Sequence, residues 1–142
     1  MLKLKHLVVL LALATIAADC PFGDSSTDPQ TDVVVGVWTL QSVNGDPLPA
    51  NFADGEFTAV ISAGSATVNA NGTFSYSETW DSQVDVTAGT WTKDGSTYVF
   101  DPAEQGGEET QINGYATVSG STMTLTVSEP GLSPTVRILT KN

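Results

Sequence analysis

The sequence predicts an all-β fold, an antiparallel meander of eight to nine strands that closes into a small barrel. Three observations carry this. From Val33 onward apolar and polar residues alternate with period two, and no window settles into a helical period. Strong β formers and threonines come in short runs separated by Gly, Asn, Asp and Ser. Three of the breaks, Ala70-Asn71-Gly72-Thr73, Lys93-Asp94-Gly95-Ser96 and Val118-Ser119-Gly120-Ser121, set a small polar residue and a glycine between alternating runs, as tight hairpins require for positive φ.

Taken from the N-terminus, the first element lies outside the fold. Lys3, Lys5 and His6 form a basic head, and residues 7–18 are apolar except for Thr15. A run of about 12 residues is shorter than the roughly 20 a bilayer crossing needs, so residues 1–19 are expected to be a signal peptide. Cys20 follows at the position where a lipoprotein signal places its acylated cysteine. Asp19 stands against that reading, because a small residue normally precedes the cysteine, and cleavage after Ala17 or Ala18 would release a free chain. Both outcomes stay open: a lipid-anchored protein at the outer or cytoplasmic membrane surface, or a free periplasmic or extracellular one. Residues 20–32, with two prolines, four Ser/Thr and three Asp, read as a disordered acidic linker. Residues 33–142 are then the folded domain.

Within it the expected strands are 34–42, 56–61, 65–69, 73–80, 84–93, 97–101, 110–118, 122–127 and 135–140. Residues 111–127 show the pattern well: Ile112, Gly114, Ala116 and Val118 share one face, Met123, Leu125 and Val127 share the next, and threonines lie opposite. Tight turns force antiparallel neighbours, and one curled sheet covers its apolar face by closing on itself. A two-sheet sandwich is the competing solution, disfavoured by the shortness of most connections. The long connections are 44–54 and 102–109. A body of this size holds one core, and Cys20 is the sole cysteine, so no internal disulfide contributes.

Charge narrows the partners. From Cys20 onward fifteen acidic residues stand against Lys93, Arg137 and Lys141, a net charge of −12. Such a chain repels nucleic acid and anionic lipid, so no nucleic-acid partner is expected and the membrane enters only through a lipid on Cys20. Like-charge repulsion also favours a soluble monomer.

The opening Val35-Gly36-Val37-Trp38, followed by Thr39-Leu40-Gln41-Ser42-Val43-Asn44-Gly45-Asp46-Pro47-Leu48-Pro49, resembles the start of lipocalin-like domains in short bacterial secreted proteins. Gly36-Val37-Trp38 matches the G-x-W element of their first strand. The resemblance implies a lipocalin-like barrel over roughly residues 35–140, with Trp38 closing one end and an arginine of the last strand, here Arg137, packed over its ring. Physically, a guanidinium on an indole face is a favourable stack; the alternative is a core Trp38 and a solvated Arg137. The chain departs from the family in having no disulfide, no C-terminal helix and a shorter body.

Catalysis is not expected. His6 and Cys20 both precede the folded domain, which removes serine–histidine, cysteine and zinc–histidine chemistry by inventory. Glu78 stands out as an acid on the strand face of Phe74, Tyr76 and Trp80, where a raised pKa is possible, although such a residue more often reaches solvent at a barrel mouth. Glu104, Glu108 and Glu109, and Asp81 with Asp85, are loop acids without the ligand spacing of a calcium loop, and no metal or cofactor is expected. A binding function would reside in the aromatics Phe74, Tyr76, Trp80, Trp91, Tyr98 and Phe100. Lining a lumen, they would bind a small hydrophobic molecule; filling it, they would be core, and the domain a non-catalytic structural or protein-interaction module of the cell envelope.

Overall fold

The computed structural model describes residues 32–103, 113–129 and 131–142. The segment expected to be a signal peptide, Cys20 and the expected linker up to residue 31 lie outside the described residues, as do Glu104, Glu108 and Glu109.

Ten strands follow one another: β1 (Gly36–Val43), β2 (Asp46–Pro47), β3 (Ala50–Asp54), β4 (Phe57–Val68), β5 (Thr73–Trp80), β6 (Gln83–Asp94), β7 (Thr97–Pro102), β8 (Asn113–Ser119), β9 (Thr122–Ser128) and β10 (Thr135–Lys141). From β4 to β10 each strand pairs antiparallel with the next, and β1 closes the circle by pairing with both β10 and β4. Eight strands therefore form a barrel, with β2 and β3 as additions at one rim, and the sandwich alternative is set aside. No helix among the described residues is long and apolar enough to cross a membrane.

Two expectations about strands are corrected. The break expected at 62–64 is not a loop, for β4 runs through it with a bulge between Ile61 and Ala63. These small residues mark a change of partner: residues 57–61 pair with β3, and residues 65–68 with β1. The Leu40 side chain crosses there so closely that a Cβ on Gly64 would lie 2.8 Å from its Cδ2. The second correction is the 44–54 connection, which contains two strands. Asn44 and Gly45, at φ of 52° and 92°, make a two-residue hairpin turn that returns Asp46 and Pro47 onto β1.

The expected turns at Gly72, Gly95 and Gly120 all adopt positive φ. The break expected between residues 80 and 84 is a tight turn: Asp81 and Ser82 link β5 to β6 with φ of 45° and 76°, the left-handed pair of a type I′ hairpin built without glycine. Asp81 is held by two bonds to Val60, its amide donating to the Val60 carbonyl and its Oδ1 accepting from the Val60 amide at 2.8 Å.

Alternation sorts side chains into the barrel and out of it. On β5, Phe74, Tyr76 and Glu78 are buried, while Ser75, Ser77 and Thr79 face outward. The two ends differ. At the end where β1 begins, Val34, Trp38, Val68, Trp91, Tyr98, Met123 and Leu139 pack into a continuous core. Residues 32–34 plug this end: Trp38 Nε1 donates to the Val34 carbonyl at 2.8 Å, and both residues are wholly buried. Asp32, which the sequence placed in the linker, belongs to the plug as well. It is buried, accepts from the Tyr98 hydroxyl, and pairs with Lys93 Nζ at 3.0 Å.

Candidate functional site

The opposite end is open. A cavity of about 310 Å³ lies there, bounded by Phe57 and Ala59 of β4, Tyr76, Glu78 and Trp80 of β5, Asp85 and Thr87 of β6, Val127 with Glu129 just past β9, and Arg137 of β10. Phe57, Trp80 and Phe52 make an aromatic wall, with ring centroids 5.4 to 6.1 Å apart and edge-on or tilted planes.

The floor is an ion pair across the lumen. Arg137 Nε donates to Glu78 Oε1 at 2.7 Å and its second terminal nitrogen to Oε2 at 3.0 Å, a two-pronged pair between strands that are not neighbours. Both side chains are almost fully buried, at 1% and 4% exposure. Such burial is tolerable only if the remaining polar positions are satisfied. Glu78 also accepts from the Tyr76 hydroxyl and from Trp80 Nε1 at 3.0 Å, and Arg137 also donates to the Thr135 hydroxyl and, at 3.4 Å, to Glu129. Among the described residues no buried side-chain nitrogen or oxygen lacks a partner.

Electrostatics follow from this arrangement. Burial opposes the Arg137 charge, but the facing Glu78 outweighs it and raises the guanidinium pKa above its ordinary value. Burial, then the Glu78 charge, pushes the Tyr76 phenol well above its ordinary range, so it remains a donor. Glu129 is raised chiefly by burial, and repulsion from Glu78 and Asp85 adds to that against the pull of Arg137.

A second space of about 30 Å³ lies deeper in the barrel, lined by Phe74, Tyr76, Phe100, Met123, Leu125 and Val127 among others. It is room for roughly one or two waters. Phe74 and Phe100, which both line it, meet edge-to-face at 5.0 Å.

The structure thus divides the expected aromatic set. Tyr76 and Trp80 border the large cavity, and Phe74 and Phe100 only the small one. Trp91 and Tyr98 border neither: they contact each other at 6.0 Å in the closed end, with Trp91 Nε1 donating to the Asn69 carbonyl. The expected packing of Arg137 over Trp38 is corrected. Register sets Trp38 opposite Lys141 and Arg137 opposite Val43, and four residues of strand separate Lys141 from Arg137 by about 13 Å. The cation over Trp38 is Lys141, whose Nζ lies 5.4 Å from the ring centroid. Gly36 makes room for it, because a Cβ there would lie 2.6 Å from Lys141 Cε, and its φ of 143° suits only glycine.

Phe57, Asp85 and Glu129 were not anticipated as cavity residues, although Asp85 had been singled out as a loop acid. The parity of β10 carries a signal for the ion pair: Arg137 shares the inward face of Thr135 and Leu139, and an inward arginine needs a buried acid, for which Glu78 on its aromatic face is the natural partner.

A family model described as a lipocalin-like domain matches residues 34–131. The chain belongs to the lipocalin-like domain family. No curated protein and no solved structure matches it. In this lipocalin-like domain the G-x-W element sits at the closed end, and the cavity at the other. Among the described residues no three His, Cys, Asp or Glu side chains come together as a metal site.

Proposed function

We propose that this lipocalin-like domain is a non-catalytic binding module, exported by its N-terminal segment, that takes a small molecule with an apolar body into the open end of its barrel. The observation that carries this reading is the cavity of about 310 Å³ walled by Phe57, Tyr76 and Trp80. That volume is at the lower end of the range for ligand pockets, which matches a compact ring or short chain. The rigid ion pair beneath it supports the reading too, since it fixes the floor in one shape. Export rests on the basic head and apolar run before Cys20, and anchoring on Cys20 itself. The described chain enters the fold at the closed end, so a tether would leave the mouth facing away from its attachment point.

Trp80 supplies the readout. Titration of the purified protein with the neutral aromatic 2-phenylethanol, followed by tryptophan fluorescence and calorimetry, is expected to give saturable one-to-one binding that is lost when Ala59→Phe fills the cavity. Absence of saturable binding for this probe, for benzene and for short alkanols alike would overturn the reading. Intact mass of the protein from its producing cell decides anchoring: a chain starting at Cys20 with added lipid mass supports it, and an unmodified start excludes it.

A further inference from the structure

The cavity holds more negative charge than it neutralises. Glu78 and Asp85 are directly opposed on β5 and β6, both bounding the cavity, and like charges in that relation repel. Glu129 enters from the end of β9, and Asp81 lies at the rim. Against these four carboxylates stands one cation, Arg137, at 1% exposure and already committed to Glu78, Thr135 and Glu129. The two described lysines are at the closed end, Lys93 on Asp32 and Lys141 on Trp38. An anionic ligand would meet no free donor cation and three or more negative charges. A positively charged one would meet the opposite situation.

We infer that the ligand of this cavity is an organic cation, a small amine or ammonium whose charged head sits between Asp85 and Glu129 and whose apolar body rests on Trp80 and Phe57. The inference rests on the cavity-binding reading and names its ligand class. The residues suit the two halves of such a molecule. Glu129 spends one oxygen on a 3.4 Å contact to Arg137 and is otherwise open to the cavity, with its side chain 24% exposed. Asp85 makes no salt bridge among the described residues and is exposed at the mouth. An N–H head donates to both, and a charged donor to a carboxylate is the stronger kind of hydrogen bond. The indole face of Trp80 attracts the cation in addition, as ring quadrupoles do. The carboxylates do not assemble as a metal site, which leaves the charge to a molecule with a body.

The test compares three molecules of nearly one shape: 2-phenylethylamine, protonated at pH 7, neutral 2-phenylethanol and anionic phenylacetate. Calorimetry on the purified protein is expected to give the amine an affinity about tenfold or more above the alcohol, as charge-assisted hydrogen bonds warrant, and no binding of phenylacetate. Glu129→Gln and Asp85→Asn are each expected to lower amine affinity several-fold and alcohol affinity by much less, so that the amine preference shrinks. Asp94→Asn, which removes the same charge at the closed end, should alter neither. Circular dichroism confirms that each variant is folded. Equal affinity for amine and alcohol, or tighter binding of phenylacetate, overturns the cation inference and leaves the cavity reading standing. An amine preference that survives both carboxylate substitutions also overturns it. Failure of all three probes overturns the cation inference, and failure of benzene and short alkanols as well overturns the cavity reading beneath it.

Discussion

Glu78 and Arg137 face each other across the barrel lumen as a two-pronged ion pair, at 2.7 and 3.0 Å, with both side chains almost wholly removed from water. The pair decides how far the barrel fills. Beneath it aromatic and aliphatic side chains pack, and above it the lumen stays open.

Breaking that pair from one side leaves a buried charge without its counter-ion. Glu78→Ala is expected to destabilise the domain by about 3–5 kcal/mol, because Arg137 stays charged and buried. Glu78→Gln combined with Arg137→Met should cost less than the sum of the two single substitutions, since neither charge is then orphaned. Urea unfolding of the four proteins measures the coupling, and strict additivity would mean that the two do not act as a unit.

Trp38 is the centre of the closed end, with its ring fully buried and its Nε1 bonded to the Val34 carbonyl. Trp38→Ala should cost about 3–5 kcal/mol, as removal of a large buried aromatic does. In double-mutant cycles, Trp38 should couple to Lys141 by about 0.5–1 kcal/mol through the cation over its face. Trp38 and Arg137, well beyond contact distance, should be additive within about 0.5 kcal/mol.

Much of this architecture was legible because hairpins advertise themselves locally. Gly72, Gly95 and Gly120 each marked a turn that formed, and period-two alternation assigned inward and outward faces correctly along β5, β8 and β9. The failures share a cause, which is that local sequence does not encode register. Arg137 was assigned to Trp38 because it is the arginine of the last strand; which end of the barrel it occupies depends on β1–β10 pairing, and that is a long-range property. The same holds for β4, where Ser62, Ala63 and Gly64 look like a turn in isolation but form a bulge because β1 and β3 share that strand. Six aromatics on inward faces could not be divided into lining and filling without knowing which end each occupied. Asn44-Gly45, a strong turn signal, was absorbed into a long connection because only two paired residues follow it.

The Asp81-Ser82 break was legible as a loop but not as a tight hairpin turn, because it has no glycine, and this makes it open to improvement. Ser82 holds φ at 76°, a conformation that glycine adopts without steric cost. Ser82→Gly should therefore stabilise the domain by about 0.5–1 kcal/mol, the relief of strain exceeding the extra backbone entropy glycine loses. Thermal unfolding checks this, and a lower midpoint would show that Ser82 is held by contacts stronger than its strain.

Two carboxylates at opposite ends should respond to pH with opposite sign. Burial acts to raise the Asp32 pKa, but hydrogen bonds from Tyr98, Lys93 and the Val34 amide outweigh it and hold the pKa below the ordinary 3.8. An acid depressed in the folded state stabilises the fold above its unfolded pKa and loses that contribution as pH falls through the folded value. Asp32→Asn should thus unfold at a lower temperature than the parent at pH 7, and the gap should close only below about pH 4. Glu129 is the reverse case, its pKa raised above the ordinary 4.5 by burial and by neighbouring carboxylates. A raised acid favours the fold most when protonated, below its unfolded pKa, and its charge costs stability once pH rises through the folded value. Glu129→Gln should therefore match or exceed the parent at pH 7 and lose that advantage as pH falls through the raised value, where the parent's own Glu129 becomes neutral. Thermal midpoints of the three proteins between pH 3 and pH 8 give both comparisons at once. A Glu129→Gln variant less stable than the parent at pH 7, with the deficit closing on acidification, would mean that the contact to Arg137 outweighs the cost of holding a third carboxylate at the mouth.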